Sequence, residues 1–359
     1  MYILPSKEVE NEGIIDCSSQ GRAFILNSGQ TEADVIRGIT IRNGMSLVGD
    51  IPNVENETGG GAILIIGTSP QILDCVLEDN IAFRSPSGSI ADGGAIDCVN
   101  ATPIIAGNTI RNNHSTHTGG GIHAYNSHPI IMNNIISENV NDGCYGGGGL
   151  SFIYGSGGIV ANNLIVGNEA RYYSVGGYGG GIICMNADPY IVNNTITGNT
   201  TWFAGDPGEG GGVRIRGLPS SVMANNIIWG NESEPGLEDL DFQYPDWVLD
   251  IHHCDVGVGL VGLDTGGAIG NISEDPLFEN PVIGNYKLQS LSPCFNTGDT
   301  PSLPQDSADL DGGGNLVEPV PYDLVGGLRV DAGAVDIGAF ERQSLIFADA
   351  FESGTTSSW

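Results

Sequence analysis

The residues best suited to chemistry occupy one position of an internal repeat. Asp97, His123 and Ser151 each follow an inward apolar residue in the short apolar run after a glycine cluster. If three such copies stack about 4.8 Å apart, an Asp–His–Ser relay would form with His123 as the base. The alternative is a solvated strand face, because outward polar residues are common. Nothing around Ser151 resembles a nucleophile elbow.

A site that cleaves polysaccharide would need other residues. A glycoside hydrolase uses two carboxylates about 5–10 Å apart, and a polyuronate lyase uses a basic residue. Lysine is absent between positions 7 and 287, so arginine would have to act as the base or as a uronate clamp. The candidate acid pairs are Asp97 with Asp142, and Asp206 with Glu209. The catalytic candidates are therefore Asp97, His123, Asp142, Arg171, Arg214 and Arg216.

Aromatic and polar residues accumulate beside the same strands, mostly in the variable connections. Aromatic rings stack on the apolar faces of sugars, and charged side chains hydrogen-bond hydroxyls or uronates. The alternative is that the rings cover outward apolar residues such as Ile153, Ile183 and Met185. The substrate-binding candidates are Tyr125, Tyr145, Tyr172, Tyr173, Tyr178, Trp202, Asp206 and Glu209.

An acidic, glycine-rich run, DSADLDGGGN, is the candidate metal site. Oxygen ligands at alternate positions followed by glycine are typical of Ca²⁺ loops. The predicted ligands are Asp309, Asp311 and Asn315, near Asp306. The loop lacks the glutamate that closes an EF-hand, and an acidic turn without an ion is the alternative. We expect no other cofactor.

These residues are positioned by six copies of one repeat between Gly59 and Asn231, such as GGGIICMNADPYIVNNTITGN at 179–199. The last leading glycine and the closing asparagine are always 18 or 19 residues apart, whereas the connection to the next copy varies. A fixed core with one variable connection indicates a solenoid with loops on one face. Short strands and frequent turns predict a parallel β-helix with three strands per turn.

An asparagine stands five residues before five of the six closing asparagines, and Cys75 takes that place in the first copy. Stacked in register, these amides would form a hydrogen-bonded ladder along the axis. The apolar residues that alternate inward on the strand after the glycines, such as Ile182 and Cys184, would form the core.

The composition of the chain limits the kinds of partner that it can bind. The formal net charge is −31, which argues against nucleic acid. No apolar run of 18 residues exists, so no membrane span is predicted. Seven scattered cysteines without a C-x-x-C pair argue against a zinc site or a dense disulfide framework. The N-terminus does not resemble a signal peptide, and we expect the native start, with its export signal and cap, to lie upstream.

The GGG-apolar starts and NN-[TIL]-I-x-x-N closures closely resemble the right-handed parallel β-helix repeats of the pectate-lyase-like superfamily. The segments at 275–298, 309–312 (DLDG) and 335–341 (VDIGAFE) resemble the C-terminal part of bacterial secreted, polymorphic outer-membrane-type β-helix proteins. The final DAFESGTTSSW is similar to a C-terminal motif of exported bacterial proteins.

The resemblance implies an all-β, right-handed parallel β-helix of about 9–11 coils in a secreted or surface protein. We expect lead-in coils over 1–58, six repeats over 59–231, trailing coils and a closing segment over 232–341, and a flexible tail over 342–359. The leading functional hypothesis is a monomer that interacts with a polysaccharide or surface glycan, as a polysaccharide lyase or a glycoside hydrolase, in a groove beside the strand that follows each glycine cluster. The alternative is a non-catalytic adhesive or structural module.

Overall fold

The structure is a computed structural model that describes residues 13–46, 59–83, 91–143, 146–172, 178–203, 209–217, 221–234, 236–243, 250–259, 269–307, 309–331 and 333–343. Within these ranges the chain is all-β, with four long, almost entirely parallel sheets and no α-helix. Consecutive strands along the chain fall in different sheets, and each pairs with its counterpart from the next repeat. This is the arrangement of a parallel β-solenoid.

The first strand of each coil follows the glycines, and the second follows a turn. The first-strand sheet contains Phe24–Leu26, Ile63–Ile66, Ile96–Val99, Ile122–Tyr125, Leu150–Ile153, Ile182–Met185, Val213–Arg216 and Leu240–Phe242. The second-strand sheet contains Val35–Arg37, Gln71–Leu73, Ile104–Ala106, Ile130–Met132, Ile159–Ala161, Tyr190–Val192, Val222–Ala224 and Asp250–His252. Both sheets are parallel throughout.

The third-strand sheet is the longest, with nine strands. It contains Gly13–Asp16, Ile39–Arg42, Val76–Glu78, Thr109–Arg111, Ile135–Ser137, Leu164–Val166, Thr195–Thr197, Ile227–Trp229 and Asp255–Val256. The prediction of three strands per turn missed one strand, because a short fourth strand follows each closing asparagine. The fourth-strand sheet contains Ile81–Ala82, His114–Ser115, Val140–Asn141, Glu169–Tyr172, Thr200–Phe203 and Glu232–Ser233, with Gly236–Leu237 antiparallel at its end.

The interior confirms the predicted inward residues. The alternating apolar positions of the first strands, including Ile63, Phe152 and Cys184, lie in one continuous buried core. Cysteine acts there as a small apolar residue. All the cysteines of the described ranges are free thiols. The core therefore depends on stacked apolar side chains rather than on disulfides.

The predicted asparagine ladder is confirmed. Asn134 Oδ1 accepts hydrogen bonds from the backbone N and the side-chain Nδ2 of Asn108, at 2.9 and 3.0 Å, and Asn134 Nδ2 donates to Asn163 in the next coil. The closing asparagines form a second ladder at the next corner, which ends on the carboxylate of Asp239. Both ladders satisfy buried amides that would otherwise cost free energy.

The chain beyond the last coil, which we call the closing segment (residues 269–343), folds back along the solenoid. It contains the antiparallel pair Phe278–Asn280 and Asn285–Leu288 and the 3₁₀-helices Pro281–Ile283 and Thr300–Ser302. Its Val320 and Phe340 pack on outward apolar residues of the second and third strands. It therefore covers the outer flank formed by the second and third strands. Among the described residues, no helix has the length and apolar character needed to cross a membrane.

Candidate functional site

The structure gathers the predicted site residues into separate groups. Stacking in register makes equivalent positions of adjacent coils neighbours, as for Asp97, His123 and Ser151 on the first strands. It also places Arg171 opposite Trp202 on the fourth strands. Each group is therefore held by rigid sheet rather than by loops.

Asp97 and His123 form a buried network. His123 Nδ1 lies 2.7 Å from Asp97 Oδ1 and 3.8 Å from Asp92 Oδ2. Asp92 Oδ1 lies 2.6 Å from His117 Nδ1. Asp97 and His123 point outward from their strands, yet they are only 1% and 3% exposed. The solvated strand face that we considered as the alternative is therefore wrong at these positions.

A glycine turn explains this burial. A Cβ added to Gly119 would lie 3.0 Å from the Cβ of His123, and one added to Gly59 would lie 1.8 Å from Asp97 Oδ2. Backbone can approach the strand this closely only where it carries no side chain. The leading glycines thus cover the first outward residue of the following strand, as Gly119 does, or of the next coil, as Gly59 does.

Burial and charge set the protonation of the network in opposite directions. Burial lowers the pKa of His123, but the carboxylates of Asp92 and Asp97 outweigh it and the net pKa is raised. Burial raises the pKa of Asp97, despite the opposing effect of His123. Burial also raises the pKa of Asp92, but His123 and His117 outweigh it and the net pKa is lowered. A raised pKa favours the protonated form of His123, and a protonated imidazole cannot act as a general base.

The predicted relay also lacks its last step. Ser151 pairs in register with His123, but its buried Oγ has no hydrogen-bond partner among the described residues. A nucleophile must be within hydrogen-bond reach of its base. Asp97, His123 and Ser151 are therefore adjacent without forming a relay.

Arg214 and Arg216 meet Tyr178 and Glu209. Arg214 Nη2 lies 2.6 Å from Glu209 Oε2, and Arg214 also pairs with Asp241. The guanidinium carbons of Arg214 and Arg216 stand 5.7 and 5.5 Å from the Tyr178 ring centroid. Tyr178 packs on the apolar cluster that contains Met185, as the covering alternative predicted. Arg214 is buried and doubly paired, so it is not free to act as a base.

Tyr125 is the exposed aromatic residue of the first-strand face. Its side chain is 43% exposed. Its ring meets that of Tyr154 edge to face, with centroids 6.4 Å apart. This pair is accessible to a ligand.

A second exposed group, which we call the charged row, consists of His114, Asp142, Glu169, Arg171 and Trp202. His114 Nε2 lies 2.8 Å from Asp142 Oδ2, and Arg171 Nε lies 3.5 Å from Asp142 Oδ1. Arg171 Nη2 lies 3.0 Å from Glu169 Oε2. Trp202, 36% exposed, stands beside Arg171 on the next coil. These residues lie at the fourth strands, where the sequence predicted variable loop.

The charged row has the chemistry of a sugar-binding or sugar-cleaving surface. The hydrogen bond from His114 lowers the pKa of Asp142, against the effect of burial, and the charges of His114 and Arg171 lower it further. Asp142 is therefore ionised at neutral pH. One guanidinium contacts both Asp142 and Glu169, so the two carboxylates lie near one another. Sequence reasoning did not select Glu169, although EARY at 169–172 alternates as a strand does.

The predicted metal loop has a different set of neighbours. The carboxylate oxygens of Asp306, Asp311 and Glu318 lie within 4.8 Å of one another. Asp309 instead accepts a backbone hydrogen bond within the loop, and Asn315 Nδ2 donates to Glu318. Of the three predicted ligands, only Asp311 belongs to the acidic group, because Asp309 and Asn315 brace the turn. Ca²⁺ binding here stays a prediction.

Part of the predicted binding set cannot be placed. Tyr145, Tyr173 and Asp206 lie outside the described residues, as does the side chain of Tyr172. The proposed pairing of Asp206 with Glu209 is therefore untested. Of the other predicted pair, Asp97 joins the buried network whereas Asp142 joins the charged row.

Comparison with known proteins does not identify the chain. A scan against protein-family models finds no match, and a search of the curated proteins finds none either. Function therefore has to be argued from the surfaces described above.

Proposed function

We propose that this protein is an exported right-handed parallel β-helix of the pectate-lyase-like type that binds a neutral polysaccharide along the charged row. One observation carries the proposal. Five polar and aromatic side chains from four consecutive coils lie in one row along the fourth strands, each 29–36% exposed. Asp97, His123 and Arg214, in contrast, are buried.

The dimensions of the row favour an extended ligand. Strands of adjacent coils lie about 4.8 Å apart, so the row extends about 14 Å from His114 to Trp202. Trp202 offers a ring for stacking on a sugar, and Asp142 and Arg171 offer groups that bind hydroxyls. Asp142 Oδ1 and Arg171 Nε are buried and lie 3.5 Å from one another. A ligand would therefore meet the outer atoms of these two side chains.

Charge favours a neutral glycan over a polyuronate. The chain carries a net charge of −31, and the exposed Glu232 and Glu234 follow Trp202 at the end of the row. Like charges oppose the approach of an anionic polymer. Arg171 is already shared by two carboxylates, which leaves it a weak uronate clamp. A lyase acting on polyuronates is therefore the less favoured form of the proposal.

Hydrolysis is the second candidate function, and the carboxylate pair favours it. Glycoside hydrolases use two carboxyl groups about 5–9.5 Å apart, one of which stays ionised. Asp142 has the lowered pKa expected of the nucleophile or base. Glu169, on the other side of Arg171, would be the acid. The non-catalytic surface module is the form of the proposal that binds glycan without cleaving it.

Calorimetry on the full chain tests binding, with neutral glycans and polyuronates as ligands. We expect a neutral glycan to bind and Trp202→Ala to weaken it at least tenfold. Tyr125→Ala, which removes an exposed ring from the first-strand face, is the matched control and should leave the affinity unchanged. The reverse result would move the site to the first-strand face, and absence of binding across the panel would reject the proposal.

Product analysis separates the catalytic and non-catalytic forms. A hydrolase should release new reducing ends from the glycan that binds. Asp142→Asn and Glu169→Gln should each abolish that release while the glycan still binds. An unsaturated product would contradict hydrolysis and indicate a lyase. Binding without any product would support the non-catalytic surface module.

A further inference from the structure

Two adjacent histidines stand at the end of the last coil, remote from the charged row. His252 ends the last second strand, and His253 occupies the corner that follows. Their Nδ1 atoms are 3.3 Å apart, and their rings are nearly perpendicular, with centroids 5.6 Å apart. Two imidazole nitrogens thus point at one another from consecutive residues.

The backbone explains this unusual orientation. Successive strand residues normally point to opposite faces. His253 adopts a φ of 49°, the left-handed conformation that is uncommon for residues other than glycine and asparagine. The equivalent corner residues of the four preceding coils are all asparagine: Asn133, Asn162, Asn193 and Asn225. The three earlier coils have Gly38, Asp74 and Gly107 at this corner, so histidine occupies it in the last coil alone.

A carboxylate from the closing segment completes the group. Asp299 offers an oxygen that lies, with the nitrogens of His252 and His253, in a set whose members are all within 4.8 Å of one another. Ser302 Oγ donates to Asp299 Oδ2 at 2.5 Å, and the Asp299 backbone N donates to Asn225 Oδ1 at 2.7 Å. Such hydrogen bonds orient a ligating carboxylate.

The His253 ring is also held from its other side. A Cβ added to Gly270 would lie 2.4 Å from Cδ2 and 2.6 Å from Nε2 of that ring. Gly270 has a φ of +72°, and the backbone N of His253 donates to the neighbouring Ile269 carbonyl at 2.9 Å. The ring edge that carries Nε2 is thus packed against backbone, which leaves Nδ1 as the nitrogen that faces His252.

We propose that His252, His253 and Asp299 bind a divalent first-row transition ion, with Zn²⁺ as the representative. Zn–N bonds of about 2.0–2.1 Å in a tetrahedral site separate two nitrogen ligands by about 3.3–3.4 Å, which matches the observed 3.3 Å. Two imidazoles exclude Ca²⁺ and Mg²⁺, which take oxygen ligands. Three protein ligands leave the fourth position for water.

Such an ion would join the closing segment to the last coil, because Asp299 belongs to the former and both histidines to the latter. An ion that binds only the folded protein stabilises it by mass action. The bound ion would therefore cross-link the closing segment to the last coil and stabilise the end of the solenoid. The alternative is a simple hydrogen bond between the two imidazoles, with Asp299 nearby and no ion.

The experiment uses the untagged full chain after removal of metal with a chelator. Calorimetry with Zn²⁺ should show one site with a Kd in the micromolar range or below. Co²⁺ in its place should give the visible spectrum of a tetrahedral ion. His253→Asn, which restores the asparagine found at equivalent corners, should fold normally and weaken Zn²⁺ binding at least tenfold. Asp299→Asn should weaken it similarly.

His128→Asn removes an exposed histidine elsewhere and is the matched control. It should leave the affinity unchanged. Zn²⁺ should also raise the melting temperature of the wild type and of the control, but not of His253→Asn. The proposal is overturned if the wild type binds no Zn²⁺ by calorimetry, or if His253→Asn binds it as tightly as the wild type.

Discussion

Two outer faces of the solenoid are both covered, but by different means. On the first-strand face, glycine turns only a few residues upstream cover outward residues such as His123. On the flank of the second and third strands, the cover is the closing segment, far away in the chain. Asn162 Nδ2 donates to the Tyr322 carbonyl at 3.1 Å and Asn193 Nδ2 to the Asp336 carbonyl at 3.3 Å. The glycine turns, which we call the local cover, can approach the strands only because glycine has no side chain. The closing segment, which we call the distant cover, is held by outward apolar residues and by the corner asparagines.

The two covers also bury different charges. The glycine turns enclose the His123 imidazole between the carboxyl groups of Asp92 and Asp97. The closing segment encloses Arg329, fully buried, whose Nη2 donates to the carbonyls of Asp336 and Gly338 at 2.8 Å. Glu341 lies beside it, with Oε2 3.8 Å from that nitrogen. We therefore expect each cover to contribute separately to the free energy of unfolding and to the dependence of that free energy on pH.

Gly120→Ala should show the largest effect, because it acts on the local cover. An added Cβ would lie 2.4 Å from the Gly148 carbonyl oxygen and 2.6 Å from backbone of Val140, and neither can move within the stack. We expect a loss of more than about 4 kcal/mol in the free energy of unfolding, among the largest for a single substitution. Gly21→Ala, where an added Cβ meets nothing within 4 Å, should change it by less than about 0.5 kcal/mol. Chemical denaturation measures both, and equal effects would contradict the steric argument.

Phe340→Ala should show the next largest effect and should act on the distant cover alone. Phe340 is buried against Leu164 and Val166, so its removal should cost about 3 kcal/mol. We expect the closing segment to become sensitive to protease at lower temperature, while the ladder coils stay resistant. Val282→Ala, in the same segment but highly exposed, is the control. Simultaneous cleavage of coils and closing segment would show that the two regions unfold as one unit.

The contrast also explains what the sequence could predict. The glycine and asparagine spacings are local, so they predicted the coil, its inward residues and a ladder. The fourth strand was not predicted, because the two to four residues after a closing asparagine resemble the start of a loop. The outward apolar residues Leu164 and Val166 indicate that this flank is covered. The sequence around them does not indicate which distant segment of the chain covers it.

The candidate site was predictable only in part, for the same reason. Arg171 and Trp202 were selected singly, for chemistry or stacking, and Asp142 was selected as the partner of Asp97. Their proximity follows from the register of strands that the sequence did not reveal. His252 and His253 carried a signal, two histidines at a corner that is usually asparagine, but Asp299 reaches them only through the fold.

Glu341 should make the distant cover sensitive to pH. Burial raises its pKa to about 8, although Arg329 opposes the shift. In the unfolded chain the pKa of glutamate is about 4.3, so the folded state binds more protons between these values. Its contribution to stability is complete below about pH 4.3 and is lost as the pH rises through 8, by at most about 1.4 kcal/mol per pH unit. Glu341→Gln should flatten this slope in denaturation curves measured from pH 6.5 to 8, a range above the pKa of about 6 of Asp255.

His123 should give the local cover a smaller slope of the same sign. Burial lowers its pKa, but Asp92 and Asp97 raise it to a net value above that of a free histidine. Its contribution is therefore complete below about pH 6.5 and is lost as the pH rises through the folded value. In the Glu341→Gln background, the slope that remains above pH 6.5 should disappear when His123 is also replaced by glutamine. If it persists, the imidazolium does not stabilise the first-strand face, and the glycine turns alone hold that cover in place.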